Sequence, residues 1–78
     1  MNKFQAMAHI MAILCEDGSF RKGSHRYKLA RKLITAKINT MGPDAAYAQA
    51  KWAKYQLIVE IEELEKAEKA GKILINFI

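Results

Sequence analysis

Between Arg21 and Lys37 the chain reads RKGSHRYKLARKLITAK, with seven Lys or Arg, one His and no acid. Such residues gather where a polyanion is held, because each cation that meets a phosphate releases condensed counterions. Ser24 follows Gly23 inside the run and has the type of a helix N-cap. The free backbone N–H groups of a helix start favour an anion. Arg21, Lys22, His25, Arg26 and Lys28 are therefore expected to surround a phosphate at that start. Lys28, Arg31 and Lys32 are expected to meet phosphates along the helix. Two other uses compete for the same residues: the solvated face of an amphipathic helix, and docking on an acidic protein surface. Arg26 and Lys37 project toward the apolar side of an ideal helix, so they are expected to snorkel or to pair with Glu60 or Glu63.

Other chemistries lack their partners. His9, Cys15 and His25 are scattered, whereas metal ligands usually come in close pairs, so no metal site is expected. A Cys15–His25 nucleophile pair has no orienting third group. The glycines are too few for a phosphate loop, and the Lys-Ser/Thr ending of such a loop is missing. No zinc-finger spacing, stacking strand or helix-turn-helix turn is present, so any nucleic acid is expected to be held by shape and charge rather than by base sequence. The expected protein is not an enzyme and carries no cofactor. Cys15 is read as a small buried hydrophobe, His9 as a residue on a polar stripe, and Met7, Met11 and Met41 as core filling rather than an adaptable binding surface.

Charge is segregated along the chain. The net charge is +5, yet all eight acids lie outside the Gly18–Pro43 segment, which carries seven basic residues. The single Cys excludes an internal disulfide and makes a reducing cytoplasm the expected compartment. Lys3 and the apolar run to Cys15 have the outline of a lipoprotein leader. His9 interrupts that run, however, and Leu14 stands where a small residue is required. No apolar stretch approaches the length of a membrane span, so no membrane partner is expected.

The elements that must position these groups are helical. With 78 residues and 51% hydrophobic content, the chain is expected to be one helical domain over 1–78 with a small core. The first helix, about 3–15, starts at Asn2 and is apolar around most of its circumference, as in a helix surrounded by others. The second runs from Ser24 to Gly42, burying Tyr27, Ala30, Leu33, Ile34, Ile38 and Met41. The third starts at Pro43 and is expected to continue to about Ala70, closed by Gly71. Within it Ala46, Ala50, Ala53, Leu57, Ile61 and Leu64 form one stripe, and Ala48, Trp52, Tyr55 and Val59 form another at coiled-coil spacing. The second stripe needs a cover, either the apolar tail KILINFI or a second subunit. Glu62–Lys66, Glu65–Lys69 and Glu68–Lys72 are i to i+4 pairs, read as support for a solvated helix end.

The expected fold is a small all-α bundle of three helices, or four if one breaks, with a long C-terminal helix and a short apolar tail. The expected function is that of a nucleic-acid-binding accessory protein, a small virus-encoded factor being one setting. The alternative is a protein-binding inhibitor or adaptor, or a homodimer, acting through Trp52, Tyr55 and Val59.

Overall fold

The computed structural model describes residues 1–16, 18 and 20–70, and the expected apolar tail lies outside them. The described chain forms four helices: α1 (Lys3–Cys15), α2 (His25–Met41), α3 (Pro43–Trp52) and α4 (Lys54–Lys69). The starts of α1 and α2 follow the capping chemistry. Asn2 Oδ1 accepts a bond from the Gln5 N–H at 2.8 Å, and Gln5 Oε1 accepts one from the Asn2 N–H at 3.1 Å, a reciprocal capping box. Ser24 Oγ accepts the Tyr27 N–H at 3.1 Å and caps α2.

A tight turn from Arg21 to Ser24 precedes that cap, closed by the Ser24 N–H on the Arg21 carbonyl at 3.0 Å. Gly23 holds φ at 85° there, a conformation that a residue with a Cβ adopts at a cost of about 1 kcal/mol. Gly42, at φ 93°, serves two helices. Its N–H bonds the Ile38 carbonyl at 3.0 Å and ends α2, while its carbonyl accepts the Ala46 N–H at 3.1 Å and opens α3. Pro43 fills the first position of α3, where its missing N–H costs nothing.

The expected third helix is interrupted. Ala53, at φ −134° and ψ 43°, separates α3 from α4. No residue around it breaks helices by propensity, so the cause is tertiary. A straight helix over the residues of α3 and α4 would run about 40 Å, beyond the molecule's longest dimension of 35 Å. The break lets α3 pack chiefly on α1 and α4 chiefly on α2. Both halves thereby bury their stripe, Ala46 and Ala50 from α3, Leu57 and Ile61 from α4.

Ile10, Leu14, Ile34, Leu57 and Ile61 form the inner core, and Ala6, Ala30 and Ala50 let the helix backbones approach one another. The loop between α1 and α2 adds Phe20, which is 3% exposed and stacks under the Arg26 guanidinium 5.9 Å from its ring centre. Leu29 is buried although it falls outside the stripe expected for α2, while Tyr27 and Leu33 are half-buried and Met41 is exposed. The expected enclosure of α1 also fails on one side, where Phe4 stands 87% exposed.

These two phenylalanines give a direct test. Phe20→Ala should lower the unfolding free energy by about 3 kcal/mol, the cost of an emptied aromatic site, although the residue sits in a loop. Phe4→Ala should change it by less than about 0.5 kcal/mol. Urea unfolding followed by circular dichroism measures both, and equal losses would contradict this packing.

Candidate functional site

The basic segment is divided into an inner and an outer side by α4. Three side chains of α2 reach α4 glutamates: His25 Nε2 pairs with Glu68, Arg26 with Glu65 and Lys37 with Glu60. The pairs run in opposite directions along the two helices, which makes α2 and α4 antiparallel. Arg26 grips Glu65 with two bonds, Nη2 to Oε1 at 2.8 Å and Nε to Oε2 at 3.4 Å. Lys37 Nζ lies 2.9 Å from Glu60 Oε2, and Gln49 of α3 donates to Glu60 Oε1 at 3.2 Å, so one carboxylate ties three helices together.

The electrostatics follow from these contacts. The hydrogen bond from Arg26 holds the Glu65 carboxyl below the ordinary glutamate range; burial opposes this, and the charges of Arg26, Lys69 and His25 add to it. The same bond with Glu65 raises the Arg26 guanidinium, again against burial. The expected intrahelical pairing is corrected at this point. Among the described residues Glu62–Lys66 and Glu65–Lys69 do not close as ion pairs, and Lys72 lies outside those residues. Glu65 and Glu68 instead turn inward. An exposed i to i+4 pair is worth only a few tenths of a kcal/mol, which a bidentate Arg–carboxylate contact in a partly buried setting exceeds.

This changes the picture of the α2 start. The negative charge expected there comes from the protein itself, because Glu65 and Glu68 engage the side chains of the first two residues of α2. His25 and Arg26 are thus drawn toward α4 and do not stand with the outward cations. Arg21, Lys22, Lys28, Arg31 and Lys32 are exposed. Among the described residues none of these five makes an ion pair.

Lys22 of the turn and Arg31 of the helix line one depression between α1 and α2, and Arg31 lines a second, adjoining one with Lys3. Lys3 therefore joins the basic side, although 28 positions separate it from Arg31. The sequence offers no signal for that meeting, which exists only because α1 packs beside α2.

The aromatic stripe is rearranged as well. Trp52 ends α3 and Tyr55 is the second residue of α4, so the break at Ala53 destroys the coiled-coil spacing on which a continuous seam depends. Trp52 and Tyr55 are 79% and 81% exposed, while Val59 is half-buried. Lys51 Nζ lies 5.2 Å from the Trp52 ring centre. His9 is exposed with its ring 5.8 Å from that of Tyr47, and Cys15 is half-buried. Among the described residues no three His, Cys, Asp or Glu gather as a metal site, and no helix is long and apolar enough to cross a membrane.

Compared with known family models, curated proteins and solved structures, the chain matches none.

The Glu65 contact has a pH signature. Because its carboxyl is depressed in the folded state, its contribution is full above the ordinary glutamate range and is lost as pH falls through the depressed value. Glu65→Gln should cost about 0.5–1 kcal/mol at neutral pH, as expected for a partly exposed pair. The two proteins should then converge in stability at acid pH. Denaturant melts across the carboxylate range check this, and a gap that persists in acid would assign the effect to packing.

Proposed function

We propose that this protein is a non-enzymatic, nucleic-acid-binding accessory protein of the cytoplasm, gripping the phosphate backbone with the outward side of α2 and the turn before it. One observation carries the proposal: α4 supplies carboxylates only to the inner side of α2, so Arg21, Lys22, Lys28, Arg31 and Lys32 face solvent without an acidic partner among the described residues. A solvated polar face accounts for Lys and Arg, but an amphipathic surface stabilised by its own charges mixes the two signs. Here every charged residue on the outward face of α2 is a cation, with Thr35 and Asn39 completing the face. Like charges that repel within the fold are relieved when a polyanion replaces their counterions.

The geometry suits a phosphate backbone better than base edges. Lys28, Arg31 and Lys32 lie within little more than one turn, and Arg21 and Lys22 extend the row beyond the helix start. Asn39, the amide side chain of that face, lies seven residues beyond Lys32, so no Asn or Gln sits within the row itself to read a base pair. Sequence preference should therefore be weak, and DNA and RNA duplexes are both suitable probes.

The exposed Trp52 and Tyr55 favour a second reading, capture of a protein partner or of a second copy. It predicts an interaction that Trp52→Ala removes and that Arg31→Ala plus Lys32→Ala leaves intact.

A fluorescein-labelled mixed-sequence duplex of about 20 base pairs tests the main proposal. With about four phosphate contacts, log K should fall with log salt at a slope near −4. Arg31→Ala plus Lys32→Ala should reduce that slope by about 2 and weaken binding alike for unrelated sequences. Because both residues are exposed, the melting temperature should stay unchanged. Absence of DNA or RNA binding at about 50 mM salt would overturn the proposal.

A further inference from the structure

The two depressions beside Arg31 form one open groove between α1 and α2. Their volumes are about 500 and about 250 Å³, and they share Phe4, Met7 and Arg31. The α1 wall carries two rows at helical spacing: an outer one of Phe4, Ala8 and Ala12, all exposed, and a deeper one of Met7, Met11 and Cys15. From Phe4 to Cys15 this wall runs about 16 Å, three turns of helix. Among the described residues, the charged ones that line the groove are all cations, Lys22 in the first depression, Lys3 in the second and Arg31 in both.

We infer that this groove is a docking site for an acidic amphipathic helix of a partner protein. Alanines at 8 and 12 leave room for a helix to lie close against α1, with Phe4 at one end as an apolar anchor. Unbranched Met7, half-buried, reshapes to fit the residues that enter, as methionines do in helix-binding grooves, over a Met11 that belongs to the core. Lys22, Arg31 and Lys3 line that floor and select carboxylates on the flanks of the incoming helix.

Other occupants fit less well. A single strand of nucleic acid needs successive aromatic platforms, yet Phe20 is buried and Tyr27 is half-buried, so that among the described residues Phe4 is the one exposed aromatic lining the groove. A second copy of this chain has one acid-rich helix to offer, α4, and three of its five glutamates, Glu60, Glu65 and Glu68, are already paired with α2.

The probe is a fluorescein-labelled helical peptide of roughly 18 residues, with Leu at i, i+3, i+4 and i+7 and Glu on both flanks. Its control keeps every Glu and replaces each Leu by Gln. The test variant is Ala8→Gln plus Ala12→Gln, which places two amides on the groove wall at exposed positions, without change of charge. The expected result is that the probe binds, the control does not, and the variant weakens the probe by at least about tenfold. The variant should keep the parent melting temperature and bind the duplex as the parent does, which separates this site from the phosphate-binding row.

Equal binding of probe and control would overturn the inference, since charge alone would then suffice. So would a variant that binds the probe as well as the parent does. A single-stranded oligothymidine that binds where the probe does not, and that the variant weakens, would assign the groove to nucleic acid. Self-association that the variant abolishes would assign it to a second copy.

Discussion

The one-sided neutralisation of α2 by α4 is the constraint on which the rest depends. Three carboxylates, at 60, 65 and 68, meet Lys37, Arg26 and His25 across an antiparallel helix pair. Apolar stripes alone permit neighbouring registers, because Leu and Ile tolerate a shift along a helix better than a bidentate ion pair does. Each contact adds little net stability, since partly exposed charges lose hydration when they pair. Together they select one alignment. That alignment also decides which cations are spent inside the fold and which stay exposed.

Much of the architecture was legible because it is written in local chemistry. Asn2 with Gln5, Ser24 after Gly23, and Gly42 before Pro43 each satisfy or omit particular backbone donors, so three helix starts and one helix end follow from neighbouring residues. The inward turn of Lys37 and Arg26 was legible from the helical wheel, since a long side chain on an apolar face must find a carboxylate or reach water; Lys37 meets Glu60, one of the two carboxylates expected, whereas Arg26 meets Glu65 and neither Glu60 nor Glu63. The break at Ala53 was not legible. Trp52, Ala53 and Lys54 are compatible with continuous helix, and only the size of the core limits how far a straight one can be covered. Phe20 was missed for a related reason. It stands alone in a loop without periodicity, and its burial depends on how α1 and α2 close over it.

The candidate site divides along the same line. The composition of the outward row, Lys28, Arg31 and Lys32, follows from helical spacing, and so does its distance from the apolar face. The loss of His25 and Arg26 from that row does not, because it depends on glutamates some forty residues away. Sequence alone makes the local i to i+4 partners of those glutamates look sufficient. Tertiary geometry offers a planar guanidinium at lower dielectric, and the stronger contact prevails. Lys3 enters the site by packing alone, as Phe20 enters the core.

Two features of this surface require separate explanations. A phosphate row needs cations and nothing else, so it accounts for Arg21, Lys22, Lys28, Arg31 and Lys32 but leaves the wall of α1 unexplained. That wall has no charged residue between Lys3 and Glu16, and it exposes Phe4 with Ala8 and Ala12 on the side that faces away from the core. Apolar exposure next to a dense positive field is costly in water and gives a polyanion no contact of use. An apolar segment with acidic flanks uses both features at once. The two surfaces meet at Arg31, whose guanidinium has one set of donors to offer, so a phosphate and a carboxylate would compete for it. A molecule of this size can then hold two kinds of acidic partner only by letting each weaken the other, a reciprocity that thermodynamic linkage imposes on any pair of ligands sharing a contact.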